Sequence, residues 1–178
     1  MPDLDLEFGE VAIVEPSNKF KRISTILSMV AYLAFIFISG VTINTFVVER
    51  VCVVGESMYP SLYDGDNLLM YKLSGYDRGD IVCAHVDGKE IIKRVIALPG
   101  EEIKVKDGVI LVDGNVLEEE YLSDANKKFT GGFAEGGIIL GQDEYFLMGD
   151  NRNNSKDSRD YGTFRRRDID GKIIMSLW

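Results

Sequence analysis

A mainly β domain behind a single membrane-spanning helix is the fold class this sequence predicts, and three observations predict it. Residues 23–48 carry no charged side chain. Beyond residue 49 the apolar residues fall in short runs of Val, Ile, Leu and Tyr, separated by Gly, Asp, Asn and Pro. No stretch past residue 50 repeats its apolar residues at helical spacing, so this part reads as antiparallel strands and long loops. The remaining bounds agree. A chain of 178 residues, 46% apolar and 28% charged, suits one ordinary domain with an appendage. Two Cys, four Pro and 18 Gly exclude a disulfide scaffold, a Pro-rich disordered chain and collagen. A net charge of −9 argues against a nucleic-acid partner, which needs a basic face.

Taken in order, residues 1–22 form a short charged tail with five acids and three bases, Lys19, Lys21 and Arg22. Residues 23–48 come next as the span. About 20 apolar residues cross the hydrocarbon core as a helix, so this run is long enough with some tilt. A cleaved secretory signal fits less well, because its apolar region is shorter and is followed by a small-x-small site; this run ends Phe-Val-Val-Glu-Arg. The three bases before the run, against only Arg50 just after it, put the N-terminus in the cytoplasm and residues 49–178 outside. The expected location is therefore the cell membrane, crossed once, with the lipid bilayer as a partner.

Residues 49–178 hold 17 basic and 24 acidic side chains, a net of −7. Strands are expected at 51–55, 67–72, 80–86, 90–98, 101–105, 109–112, 144–148 and 172–177. Asp107-Gly108 tolerates the positive φ values of a tight hairpin turn, and Asp113-Gly114 is a second such pair. Cys52 and Cys83 could pair or stay as two small thiols; a separation of 31 residues gives no geometry.

Three segments could carry chemistry. Ser57 lies in GESMYPSL, after an apolar run and before a turn; with Tyr59 in place of the second Gly it is not the strand–helix elbow of many hydrolases. A hydroxyl needs a base. His85, the only His, sits in a strand pattern and reads as a surface residue. Lys93 is the other candidate. On a strand it shares a face with Ile91, Val95 and Ala97, and Arg94 shares the other with Ile92 and Ile96. An amine among aliphatic neighbours is desolvated, which favours its neutral form. A Lys that keeps its head in water fits the same spacing, and spacing alone leaves both readings open. The third segment, MGDNRNNSKDSRDYG at 148–162, is dense in side chains that bond their own backbone. It fails as a calcium loop, with Arg152 third, Ser155 sixth and Tyr161 twelfth. No metal and no cofactor are expected.

GESMYPSL, IIKRVIALPGE and MGDNRNNSKDSR, in that order behind one apolar span, resemble bacterial type I signal peptidase, in its short Gram-positive form. The resemblance implies a mainly β fold shared with the self-cleaving repressors, and a membrane-bound serine endopeptidase that removes signal peptides from exported preproteins. It makes Ser57 the nucleophile, with its backbone N–H as an oxyanion donor, and Lys93 the general base, where relatives from the endoplasmic reticulum and archaea use His. Ser155 would orient Lys93. Asp157 and Arg159 match a buried ion pair, with Asp150 nearby, and Arg94 reads as structural. Some relatives carry a second oxyanion donor two residues before the nucleophile; Gly55 stands there in this chain and has no hydroxyl. Substrates would be extended segments of Ala-x-Ala type. They would add as a strand beside Val51–Gly55 and Glu90–Lys93, with Met58, Leu62, Ile92 and, by position, Val53 lining shallow pockets. The alternatives are a specialised Ser/Lys membrane peptidase for a few exported precursors, a cytosolic self-cleaving repressor, and a non-catalytic anchored β module. The span and the negative charge oppose the repressor. The presence of Ser57, Lys93 and Ser155 opposes the module.

Overall fold

A computed structural model of the chain describes residues 18–127, 129–130 and 132–177. It divides into two units, residues 1–42 and 43–178. The described part of the first is helix α1 (Asn18–Phe46), which continues a short way past the division. Its apolar side chains are exposed along its length, and residues 18–43 have a mean hydropathy of 2.3. Such a surface is stable in lipid and unstable in water. The helix ends at Phe46, and Val48 already belongs to the first strand.

Among the described residues eleven strands follow: β1 (Val48–Cys52), β2 (Asn67–Tyr71), β3 (Ile81–Val86), β4 (Lys89–Ala97), β5 (Glu102–Lys106), β6 (Val109–Val112), β7 (Asn115–Val116), β8 (Ile138–Ile139), β9 (Glu144–Met148), β10 (Phe164–Arg165) and β11 (Ile169–Leu177). A one-turn helix, α2 (Ser158–Tyr161), lies between β9 and β10. One sheet has the order β1-β2-β11-β3-β4-β9-β10, the other β7-β6-β5-β8, and every pairing is antiparallel. The eight expected strands all have counterparts, although the first, expected at 51–55, lies at Val48–Cys52 and leaves 53–55 to the turn that carries Ser57. The three extra ones, β7, β8 and β10, have two residues each, too short to show an apolar period.

Two-residue turns set three hairpins. Asp107-Gly108 closes Lys106 onto Val109, and Asp113-Gly114 closes Val112 onto Asn115, with both residues of each pair at positive φ. Asp87-Gly88, with φ of 51° and 73°, joins β3 to β4 in the same way. That third pair has the same sequence signal and fixes the register of the strand that carries Lys93 (Lys93 opposite Val82, Ile92 opposite Cys83).

Side-chain alternation along β4 distributes its apolar residues among three clusters. Ile91 and Val95 pack with Val82, Ala84, Leu147 and Phe164. Ile92 packs with Val53, Met58, Leu62 and Leu68. Ala97, expected to share a face with Val95, instead joins Ile96 against Ile103, Val105 and Phe146. The pairing of β4 with β9 shifts register between Val95 and Ala97, and a one-residue shift turns every later side chain over. The irregularity lets the end of β4 seal the two sheets together while its middle stays beside Ser57.

Candidate active site

Ser57 sits in the turn segment after β1, and Lys93 in the middle of β4. Lys93 Nζ lies 2.8 Å from Ser57 Oγ and donates to the carbonyl of Ile92 at 2.8 Å. The residue is 3% exposed and, among the described residues, has no carboxylate in ion-pair contact. Burial is the largest influence on its amine and lowers its pKa from 10.5 to about 8. Asp157 and Asp150 pull it up from a distance, and Arg159 pushes it down. With one N–H held by Ile92, the lone pair of the neutral amine is left to accept from the Ser57 hydroxyl. Among the described residues the Ser57 backbone N–H has no acceptor. Its carbonyl accepts from Asn151 N at 3.0 Å, and Asn151 Nδ2 donates to the Glu56 carbonyl at 3.0 Å, so the loop after β9 holds the serine turn from behind.

That loop approaches closely because residue 149 is glycine. A Cβ there would fall 2.5 Å from the Ser57 carbonyl oxygen and 2.6 Å from Ser155 Cβ. Asp157 organises the rest of the loop. It caps α2, and Asp160 three residues on completes a capping box; this Asp-x-x-Asp signal was in the sequence. Its carboxylate accepts from Arg159 Nε and Nη2 at 2.8 and 2.9 Å, from Gly149 N at 3.0 Å and from Ser155 Oγ at 2.8 Å. Ser155 therefore bonds Asp157 and makes no direct bond to Lys93. The Asp157 carboxylate, which accepts from Ser155 and whose field acts on Lys93, connects the two.

Arg94 takes two bonds to Asp150, at 2.9 and 2.6 Å, one to the Gly79 carbonyl at 2.7 Å and one to Ser61 Oγ at 3.2 Å, and lies 4.0 Å over the Tyr121 ring. Sequence reading missed two partners here. Glu119 pairs with the fully buried Arg152 and accepts from Tyr121, tying the stretch after β7 to the polar loop. Contacts 33 residues apart leave no local signal.

Beside the Ser57–Lys93 pair runs a groove of about 160 Å³, walled by 51–54, Met58, Cys83 and 90–92. Val53, Met58 and Ile92 lie on it. Leu62 does not; it is buried with Met58 and Leu68 behind the groove and borders a separate depression with Glu56, Tyr59, Tyr63 and Asp64. Cys52 and Cys83 are both free thiols on this groove. His85 is exposed, 3.3 Å from the Asp170 carboxylate, and is not part of the groove.

An alcohol held against an amine that releases its proton near pH 8 is equipped for nucleophilic hydrolysis. A narrow groove between two extended segments suits a polypeptide better than a compact ligand. Those features belong to the class of serine peptidases. Comparison with known proteins agrees. The family model described as "Signal peptidase, peptidase S26" matches residues 22–178. A signal peptidase I P of Bacillus subtilis subsp. natto is 37% identical over 171 residues, covering 88% of this chain and 89% of the relative. A signal peptidase IB of Staphylococcus aureus (strain COL) is 30% identical over 171 residues, covering 86% and 90%. The crystal structure of a signal peptidase I from Enterococcus faecalis V583 is 25% identical with a TM-score of 0.49, covering 57% of this chain and 98% of that one. The chain belongs to the signal peptidase family. It is a membrane-anchored serine peptidase.

Proposed function

We propose that this protein removes the signal peptides of exported preproteins with Ser57 as nucleophile and neutral Lys93 as general base. The observation that carries the reading is the 2.8 Å separation of Lys93 Nζ from Ser57 Oγ, made by an amine whose pKa burial lowers to about 8. Lys93 takes the hydroxyl proton as Ser57 Oγ bonds to the carbonyl carbon of residue −1. The ammonium returns that proton to the leaving amine as the C–N bond breaks. Water then attacks the acyl-enzyme, giving its proton to Lys93, and the ammonium passes that proton to Ser57 Oγ as the ester bond breaks, which restores the hydroxyl and the neutral amine. The free Ser57 N–H stabilises the oxyanion in both steps. No side-chain hydroxyl is available at Gly55, so the backbone carries this role.

The substrate's extended segment adds beside 51–55 and 90–93, and shallow apolar pockets at Val53, Met58 and Ile92 admit small residues at −1 and −3, as in Ala-x-Ala; Leu62 supports them from behind. Ser155 acts on Lys93 by holding Asp157 in place, and the Asp157–Arg159 and Asp150–Arg94 pairs keep the loop rigid. Helix α1 crosses the membrane once with the N-terminus cytoplasmic, and not the whole of 23–48, since Val48 lies in β1; sharing the bilayer with the substrate raises its effective concentration.

A cleavage assay on a preprotein with an Ala-x-Ala site tests the chemistry. Ser57→Ala and Lys93→Ala should each lower kcat/KM by at least about 10⁴-fold while the domain stays folded. The wild-type rate should climb with pH through about 8. Near-normal turnover by either variant, or a rate independent of pH from 6 to 10, contradicts the dyad. Protease added outside sealed cells should digest residues 49–178; protection from it contradicts the orientation.

A further inference from the structure

We propose that Glu90 is a specificity-determining residue, selecting against acidic side chains four to five positions before the scissile bond. The inference rests on the reading that the pockets beside Ser57 take the −1 and −3 side chains. Strands β1 and β4 are separated by β2, β11 and β3, with every pairing antiparallel, so β1 and β4 run in the same direction. Both walls of the groove therefore lead into the site by their C-terminal ends: 51–54 leads to Ser57 and 90–92 leads to Lys93. With −1 and −3 seated at Val53, Met58 and Ile92, the residues further upstream in the substrate pass toward Glu90. Glu90 stands three residues before Lys93, about 10 Å away for extended chain at roughly 3.3 Å per residue. A peptide with its −1 carbonyl at Ser57 Oγ then has residue −4 or −5 abreast of the Glu90 carboxylate.

Glu90 is also the acid at that end without a side-chain partner among the described residues. Glu49 is paired with Lys72 at 2.7 Å, and Asp170 lies 3.3 Å from His85. Glu90 is exposed and makes no ion pair or side-chain hydrogen bond among the described residues. Apart from Lys93 at the opposite end, no basic side chain among the described residues lines the groove. The field of these acids reaches inside. The Cys83 thiol, on the groove wall, is pushed up to about 12, chiefly by burial and then by Asp170, Glu90 and Glu49.

The test uses the full-length enzyme in phospholipid vesicles and peptide substrates with Ala at −1 and −3, carrying Lys, Gln or Glu at −4 or at −5. Wild-type kcat/KM should fall in the order Lys, Gln, Glu, by about fivefold from end to end at low ionic strength, and less as salt is added. Glu90→Gln should bring the Lys/Glu ratio close to one, and Glu90→Lys should invert the ratio. The same Lys/Glu ratio in wild type and Glu90→Gln overturns the proposal. A peptide with Phe at −3 separates this from the reading beneath it. If that peptide is cut slowly while the charge ratio ignores Glu90, this inference alone fails. If it is cut as fast as its Ala parent, the pocket assignment fails and takes the inference with it.

Discussion

Two adjacent residues on β4 are buried to a similar degree, and the protein treats their charges in opposite ways. Arg94 is surrounded: two bonds to Asp150, a backbone carbonyl, a hydroxyl and an aromatic face. Lys93 has one carbonyl and one alcohol, and no carboxylate in contact among the described residues. Arg94 stays ionised because its partners replace the water it has lost. Lys93 has too few partners for that, so burial lowers its pKa to about 8 and the amine becomes a base near neutral pH. Burial alone does not set a charge; the acceptors left within reach decide it. The acid that acts most strongly on Lys93 is Asp157, and its oxygens are already filled by Arg159, Ser155 and Gly149. The rigid side of the strand and the reactive side are thus one design, in which acids are committed elsewhere so that one amine is left without an anion.

The comparison breaks most readily on the Arg94 side. Asp150→Ala leaves a buried guanidinium uncompensated and should destabilise the domain by about 3–5 kcal/mol in a denaturant titration. A loss below about 1 kcal/mol would show that Arg94 is no better satisfied than Lys93. On the Lys93 side the sign is reversed. A pKa lowered from 10.5 to about 8, at roughly 1.4 kcal/mol per unit, means that charging the folded site costs about 3 kcal/mol. Between pH 8 and 10.5 the unfolded chain still binds the proton and the folded one does not. Wild-type stability should therefore rise across that window, and the cost is fully present below it. Lys93→Met should lack that rise; identical slopes for the two proteins would remove the distinction between Lys93 and Arg94. A smaller effect sharpens the geometry. Gly149→Ala drives a methyl group into the Ser57 carbonyl and Ser155, and should cost about 1–3 kcal/mol with a fall in turnover. An unchanged rate would mean that the loop does not position the serine.

Much of this was legible in the sequence because the signals were local. An uncharged run of 26 residues (23–48), strand-length apolar runs and Asp-Gly turns each depend on neighbours along the chain. The strand alternation around Lys93 likewise pointed to a desolvated amine, although spacing could not show whether its tip reached water or Ser57. What the sequence hid was long-range. The shift that moves Ala97 to another cluster comes from β9, some fifty residues later. The need for glycine at 149 comes from Ser57 passing behind it, and Arg152 finds Glu119 on another loop. The resemblance linked Ser155 directly to Lys93, whereas its hydroxyl goes to Asp157, a choice made by an acid that also caps a helix turn.

The most direct measurement of the central claim is the titration of Lys93 itself, followed by the ¹³Cε chemical shift of labelled lysine in the folded protein and assigned with Lys93→Arg. A midpoint near pH 8, well below the other lysines, is the expected result. A midpoint near 10.5 would mean that the amine beside Ser57 is an ammonium at neutral pH, unable to take its proton, and would contradict the account.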